Sequence, residues 1–329
     1  MAFISLRYDL RRSPSGAPYA ALYDAALDQC AWADTHGFDL VTLSEHHVTD
    51  DGFLPSPTLV AAAIAQRTQR LLISVSALLA PLADPLRLAE DLAVLDHLAG
   101  GRLSVVLGLG YREVEFEVLG VPFRERTQRL EAAARLFRQA WTGEPFSYRG
   151  HTVRVLPTPR TPGGPLLLVG GSAVASARRA ARLGLGFAPA IDDPALIDAY
   201  KEACAEAGHA PGIAQLPVGP TFVHITDDPE RDWPRIVPHA LHDAATYRAW
   251  QAPGNRSIVE SAATDEASLR AEGKYRVVTP AECVELVTGF GDFATFVLHP
   301  LMGGLDPDLA WSSLELFAAQ VLPQLKRGG

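Results

Sequence analysis

Glu45, His46 and His47 close the short apolar run Leu40-Val-Thr-Leu43, and these three adjacent side chains are the best equipped in the chain for chemistry. An imidazole exchanges a proton near neutral pH, and one at the carboxyl end of a buried strand is placed for acid/base work on a ligand. Adjacent residues on an extended segment point to opposite sides, so the three share one face only where the chain turns. A second candidate is Gly170-Gly171-Ser172, which leads into an Ala-rich helix. Glycines let backbone N–H groups approach a phosphate, a serine at the cap position can donate, and the helix dipole favours an anion. The same residues also make an ordinary tight turn and N-cap, so only their place on a rim shared with the histidines suggests a phosphorylated cofactor. His239 and His242 stand three apart on an expected helix. Without an acidic third ligand at helical spacing they read as part of an amphipathic face, and no metal is expected.

Short apolar runs alternate with longer helical patterns along the chain, the signature of repeated βα units and a parallel sheet. Strands are expected at 2–7, 39–43, 71–79, 103–109, 165–170, 184–187, 216–225 and 294–299, and helices at 20–35, 57–68, 85–98, 124–141, 173–183, 194–208, 280–289 and 307–325. Eight strands are enough to close a barrel. The stretch after the first strand, Tyr8-Asp-Leu-Arg-Arg-Ser-Pro-Ser-Gly16, is not the GxGxxG of a doubly wound dinucleotide fold. The expectation is therefore a single α/β domain over 1–329, an eight-stranded (β/α)8 TIM barrel. It carries insertions after strands 4 and 7: a hairpin at 143–164, and a substrate lid at 226–275 bearing Trp233, His239, His242, Tyr247 and Trp250. In such a barrel the active site lies at the carboxyl ends of the strands.

Composition narrows the function classes. The 329 residues are 48% hydrophobic and 20% charged, a globular balance, and the net charge of −9 comes with no Lys/Arg stripe, which argues against a nucleic-acid or anionic-membrane partner. No apolar stretch reaches the roughly 18 residues of a membrane span, and the amino terminus lacks a signal-like pattern, so a cytoplasmic location is expected. Cys30, Cys204 and Cys283 are scattered and lack CxxC spacing, which argues against both a disulfide framework and a structural zinc site.

The stretch from Leu43 to Trp141 resembles the bacterial luciferase family of flavin-dependent monooxygenases, which also includes deazaflavin-dependent oxidoreductases on the same barrel. The motifs are Ser44-Glu-His-His47, Pro55-Ser-Pro57, Pro81-Leu-Ala-Asp-Pro-Leu-Arg-Leu-Ala-Glu-Asp91, Leu95-Asp-His-Leu-Ala-Gly-Gly-Arg102 and Gly108-Leu-Gly-Tyr-Arg-Glu-Val-Glu-Phe-Glu-Val-Leu-Gly120. The likeness returns at 167–186 and at His299-Pro-Leu-Met-Gly-Gly304. It implies that His46 is the histidine beside the flavin ring, with His47 and Glu45 as neighbours. It further implies that Ser76 and Ala77 form a bulge under the ring, often with a non-proline cis peptide, and that Gly110 and Tyr111 line the ring. Arg126 would reach the phosphate, and Gly170, Gly171 and Ser172 would cradle it. Where luciferases carry an arginine, this chain has Leu109, which leaves FMN and a 5-deazaflavin both in view. The resemblance implies an FMN-dependent monooxygenase that takes reduced FMN from a separate reductase, acts on a small organic substrate and forms a homodimer. The alternatives are deazaflavin hydride transfer and flavin binding without turnover.

Overall fold

The computed structural model describes residues 2–252, 254–291 and 294–327. Its strands are β1 Phe3–Tyr8, β2 Leu40–Leu43, β3 Leu72–Leu78, β4 Leu103–Leu107, β5 Phe146–Tyr148, β6 His151–Val153, β7 Leu166–Gly171, β8 Gly186–Pro189, β9 Phe222–Ile225, β10 Tyr275–Val278 and β11 Thr295–Leu298. The helices are α1 Tyr19–Ala33, α2 Pro57–Arg67, α3 Pro85–Leu98, α4 Glu113–Val118, α5 Arg126–Ala140, α6 Val174–Arg182, α7 Pro194–Glu206, α8 Pro229–Ala249, α9 Glu266–Glu272, α10 Pro280–Thr288, α11 Pro307–Leu316 and α12 Leu322–Arg327. A repeated device starts many of these helices. Asp84, Asp193, Asp228 and Asp306 each stand before a proline and accept backbone N–H groups of the first turn, while Thr279 before Pro280 forms a capping box with Glu282. The proline occupies a position whose N–H has no helical acceptor, and the oxygen satisfies donors that do lack one.

The chain divides into two compact units, one of residues 1–42, 49–54 and 217–329 and the other of 43–48 and 55–216. In the second unit β3, β4, β7 and β8 are neighbours in that order and pair in parallel, with Val75 opposite Val105, Val105 opposite Leu167 and Val169 opposite Phe187. Those side chains are fully or nearly fully buried, which is why these strands read as continuous apolar runs. The β3–β4 register slips between Ser76 and Leu78, and the Ser76–Ala77 peptide is cis. Gly108 follows β4 at closest approach to that slip: a Cβ there would lie 2.8 Å from Ala77 Cβ, so no larger residue fits without movement. The segment 143–164 holds the antiparallel pair β5–β6.

In the first unit β11, β1 and β2 are neighbours, and β9 pairs in parallel with β10. Several expectations need correction here. The strand expected at 216–225 is only β9, because Pro217 and Pro220 cannot donate to a ladder. The strand β10 was not foreseen; the segment expected as a lid holds α8 and α9, which lie between the paired parallel strands β9 and β10, and its residue 253 lies outside the described ones. Trp233, Ile236, Ala240 and Ala244 of α8 pack with Phe222 and Tyr275 in one apolar cluster. The single helix expected at 307–325 is α11 and α12 joined by a π-helical turn at Phe317–Val321. Pro323 lacks the N–H that would bond the Ala319 carbonyl, so the regular ladder cannot run through. No helix among the described residues is long and apolar enough to cross a membrane.

Candidate active site

The chain leaves β2 at Leu43 and runs without regular structure to Val48, whose φ is 52°. This turn lets both histidines serve one cluster. The organiser is Glu115, a fully buried carboxylate on α4 that the sequence reading passed over. Its Oε1 accepts from His46 Nδ1, from the His47 backbone N–H and from Arg112 Nη1, each at 2.9 Å. Burial pushes the Glu115 pKa up, but the His46 bond, the His47 N–H and Arg112 outweigh it and hold the carboxyl below its usual range. An ionised Glu115 accepts only, so Nδ1 of His46 carries the proton and Nε2 is the exchangeable nitrogen. Nε2 lies 3.4 Å from the Tyr111 hydroxyl, and the two rings meet edge-on at 5.4 Å.

His47 takes a different partner. Its Nε2 is 2.8 Å from Glu45 Oε1, and that contact raises its pKa against the opposing effect of burial. The other Glu45 oxygen accepts the Leu79 N–H at 2.6 Å, which ties the acid to the segment just past the cis peptide. Arg112 also donates to the His47 carbonyl at 2.7 Å. The structure therefore brings Glu45, His46, His47 and Tyr111 together, with Glu115 and Arg112 added. The signal for Glu115 was available: an acid a few residues past a glycine-ended strand, in the same Gly108–Gly120 run as Tyr111. Gly110 sits at φ 73° against the Phe116 ring, where a Cβ would lie 2.8 Å from a ring carbon.

The expected phosphate residues lie on α5 and at the β7–α6 junction. Ser172 does not cap α6: the N-cap is Ala173 and makes no side-chain cap bond, so the serine stands one residue too early for that role. Gly171 abuts the buried Ser176, whose hydroxyl a Cβ there would overlap. Arg126 donates to the Phe123 carbonyl at 3.0 Å and stacks 3.8 Å over that ring. The residue missed here is Arg179. It is buried on α6, its Nε and Nη1 have no hydrogen-bond partner, and Glu131 lies 3.6 Å away. Burial lowers its pKa, and the nearby Arg182 and Arg126 lower it further against the pull of Glu131. Arg135, Arg179 and Arg182 stand around the Glu131 carboxylate, and the open donors of Arg179 suit an anion such as a phosphate. The residues present fit a flavin mononucleotide on this count.

A family model described as luciferase-like monooxygenase matches residues 6–290. The alkanal monooxygenase alpha chain of Photorhabdus luminescens is 31% identical over 186 residues, covering 53% of this chain and 51% of the relative. The chain thus matches about half the length of that relative. Among solved structures, the oxygenating constituent of 3,6-diketocamphane monooxygenase from Pseudomonas putida, in complex with FMN, aligns over 98% of this chain and 99% of its own, with a TM-score of 0.76 and 19% identity. An F420-dependent secondary alcohol dehydrogenase aligns over 98% of both chains, with a TM-score of 0.69 and 19% identity.

Proposed function

Since the chain belongs to the luciferase-like monooxygenase family, we propose that it is the oxygenase of a two-component system, taking reduced FMN from a separate reductase and oxidising a small organic substrate. The observation that carries the reading is the His46–Glu115 bond: a buried acceptor fixes the proton on Nδ1 and leaves Nε2 to exchange one with a ligand. Bound reduced flavin would supply the electrons that activate dioxygen. The chain's own share is to hold that flavin and manage protons. Arg126, Arg179 and the Gly170–Ser172 junction would hold the phosphate. Ser76, Ala77 and Gly110 would leave room for the flat ring, and Tyr111 would stand at its edge. His46 would take or return a proton at Nε2, while Glu45 and His47 brace the turn that carries it. With this reading go one eight-stranded barrel domain over 1–329, substrate selection by the 226–275 segment, a homodimer and a cytoplasmic location.

Titration with FMN and with the 5-deazaflavin cofactor, each oxidised and reduced, tests the proposal. Tight binding of reduced FMN, with NADH-dependent oxygen uptake only when a reductase and substrate are added, is expected. Leu109, where luciferases carry an arginine, keeps the deazaflavin in view, and preferential binding of the deazaflavin would turn the assignment to hydride transfer. Flavin binding without turnover over a broad substrate panel would leave a binding protein.

A further inference from the structure

The second unit holds a cleft of about 320 Å³ at the amino ends of β7 and β8, lined by Pro165 and Leu166 on one strand and Leu185 and Gly186 on the other. The Gly170–Ser172 junction stands at the opposite end of β7, and every residue that lines the cleft belongs to this one unit. Two aromatic side chains of its wall are fixed. Trp141 stacks on Phe137 with ring centres 5.2 Å apart and donates to the Ala89 carbonyl at 3.0 Å. The Tyr200 hydroxyl donates to the Leu185 carbonyl at 2.8 Å and accepts the Gly212 N–H at 2.9 Å. Gly186 has no room for a side chain: a Cβ there would lie 2.8 Å from the Ile213 carbonyl oxygen. Leu166 and Ile213, 44% and 57% exposed, also line the cleft, so it opens to solvent.

The charge of the cleft is one-sided. Arg138 Nη2 donates to the carbonyls of Leu183 and, at 3.2 Å, Gly184, while its Nε and Nη1 make no hydrogen bond among the described residues. His209 Nδ1 lies 3.0 Å from the Ala210 carbonyl oxygen and Nε2 lies 2.9 Å from that of Ala181. Only the doubly protonated ring donates to both, and these two carbonyls raise its pKa against desolvation and the repulsion of Arg138. Two cations thus share the cleft, and no acidic side chain lines it among the described residues, in a chain whose net charge is −9. An anion beside them would relieve the repulsion. Trp141, Pro165, Leu185 and Ile213 make the remaining wall apolar, so a bare inorganic ion would leave most of the cleft unmatched.

We propose that this cleft binds a small aromatic carboxylate, with the carboxylate on Arg138 and His209 and the ring against the apolar wall. A guanidinium with donors to spare matches the two oxygens of a carboxylate, and the histidine adds a second positive charge. Ligand sites combine an apolar lining with a few convergent polar groups and start at about 300 Å³, so this volume admits one or two rings. The flat shape follows from the lining. Gly186 and Gly212 expose backbone that a planar body can approach closely, and Trp141 and Tyr200 offer aromatic surface for it to pack against. The site needs no flavin and no residue of the first unit, so it stands apart from the oxygenase reading.

Calorimetric titration of the full chain with 2-naphthoate, and with the neutral 2-naphthamide, tests the proposal. Wild type should bind one naphthoate per chain, and the amide at least tenfold more weakly. Arg138→Met should weaken naphthoate binding at least tenfold, and Ile213→Trp, which fills the open side, should abolish saturable binding, both with unaltered FMN titrations. No saturable naphthoate binding by wild type overturns the proposal, as does equal affinity for the amide, binding that survives Ile213→Trp unchanged, or displacement of naphthoate by reduced FMN. Arg138 also holds carbonyls at the end of α6; if Arg138→Met does not fold, the amide comparison and Ile213→Trp decide. Failure of reduced FMN to bind would sink the flavin reading and leave the naphthoate result standing.

Discussion

Glu115 in the second unit and Asp243 in the first are both buried carboxylates that hold a guanidinium, yet they are built for different ends. Glu115 gathers donors from residues 46, 47 and 112, and the histidine it fixes turns its other nitrogen toward the Tyr111 hydroxyl at 3.4 Å. Asp243 shares Arg11 with Asp51, and that guanidinium lies 5.0–5.3 Å from the ring centres of Phe53, Tyr247 and Trp250, enclosed on every side by named partners. Buried charge that is fully matched holds elements together, whereas buried charge that leaves one atom exchangeable can act on a ligand.

The largest effect should come from breaking the closed group. Arg11→Met leaves Asp51 and Asp243 buried without their shared cation, and loss of one partner of a buried pair costs about 3–5 kcal/mol. Urea unfolding should show that loss. A cost below about 1 kcal/mol would mean the network does not hold α8, and the contrast between the two carboxylates would fail. In the open group the expected effect falls on rate instead. His46→Ala should lower turnover roughly a hundredfold or more, the scale of a lost general acid/base, with the unfolding midpoint nearly unchanged. Full turnover in that variant would remove His46 from the chemistry. Glu115→Gln should lower both rate and stability, since it also leaves the partly buried Arg112 beside a neutral amide.

The same contrast explains what could be read from the sequence. Glu45, His46 and His47 are adjacent and close an apolar run, so a strand period and a proton-active side chain sufficed to find them. The apolar runs alternating with helical patterns placed most elements within a few residues of where they lie. Arg11, Asp51, Asp243 and Tyr275 are spread over more than 260 positions, and no local pattern announces their meeting. Arg179 was hidden for another reason: in Arg178-Arg179 within an Ala-rich helix, sequence alone does not say which arginine is buried. The strand β10 was missed because only four residues carry it, next to a long helical stretch that drew the reading toward a lid.

A smaller effect should locate the phosphate. Arg179→Met keeps the length of the side chain and removes donors that charged hydrogen bonds value at about 1.5–3 kcal/mol each. FMN affinity should fall about tenfold or more while riboflavin, which lacks the phosphate, should bind as to wild type. An equal fall for both flavins would show that Arg179 supports the fold and does not meet the phosphate.

The subtlest separation between the two groups is their response to pH, and its sign can be worked out for the open one. His47 has a raised pKa, chiefly through its hydrogen bond to Glu45 and against burial. Its contribution to stability is therefore complete below the ordinary histidine value of about 6.5 and is lost as pH rises through the higher folded value. Glu115 has a lowered pKa: burial works against it, but His46, the His47 N–H and Arg112 prevail. Its contribution is complete above the usual glutamate value of about 4.3 and is lost as pH falls through the lower folded one. The second unit should thus lose stability in two separate windows, one acid through Glu115 and one on the alkaline side of neutrality through His47. In His47→Gln the alkaline loss should vanish while the acid loss remains. Urea midpoints of wild type and variant, measured from about pH 5 to about pH 9, should converge as the pH rises. A constant gap across that range would mean that the His47–Glu45 contact works without a charge on the imidazole, and that Glu45 braces the turn through its bond to Leu79 alone.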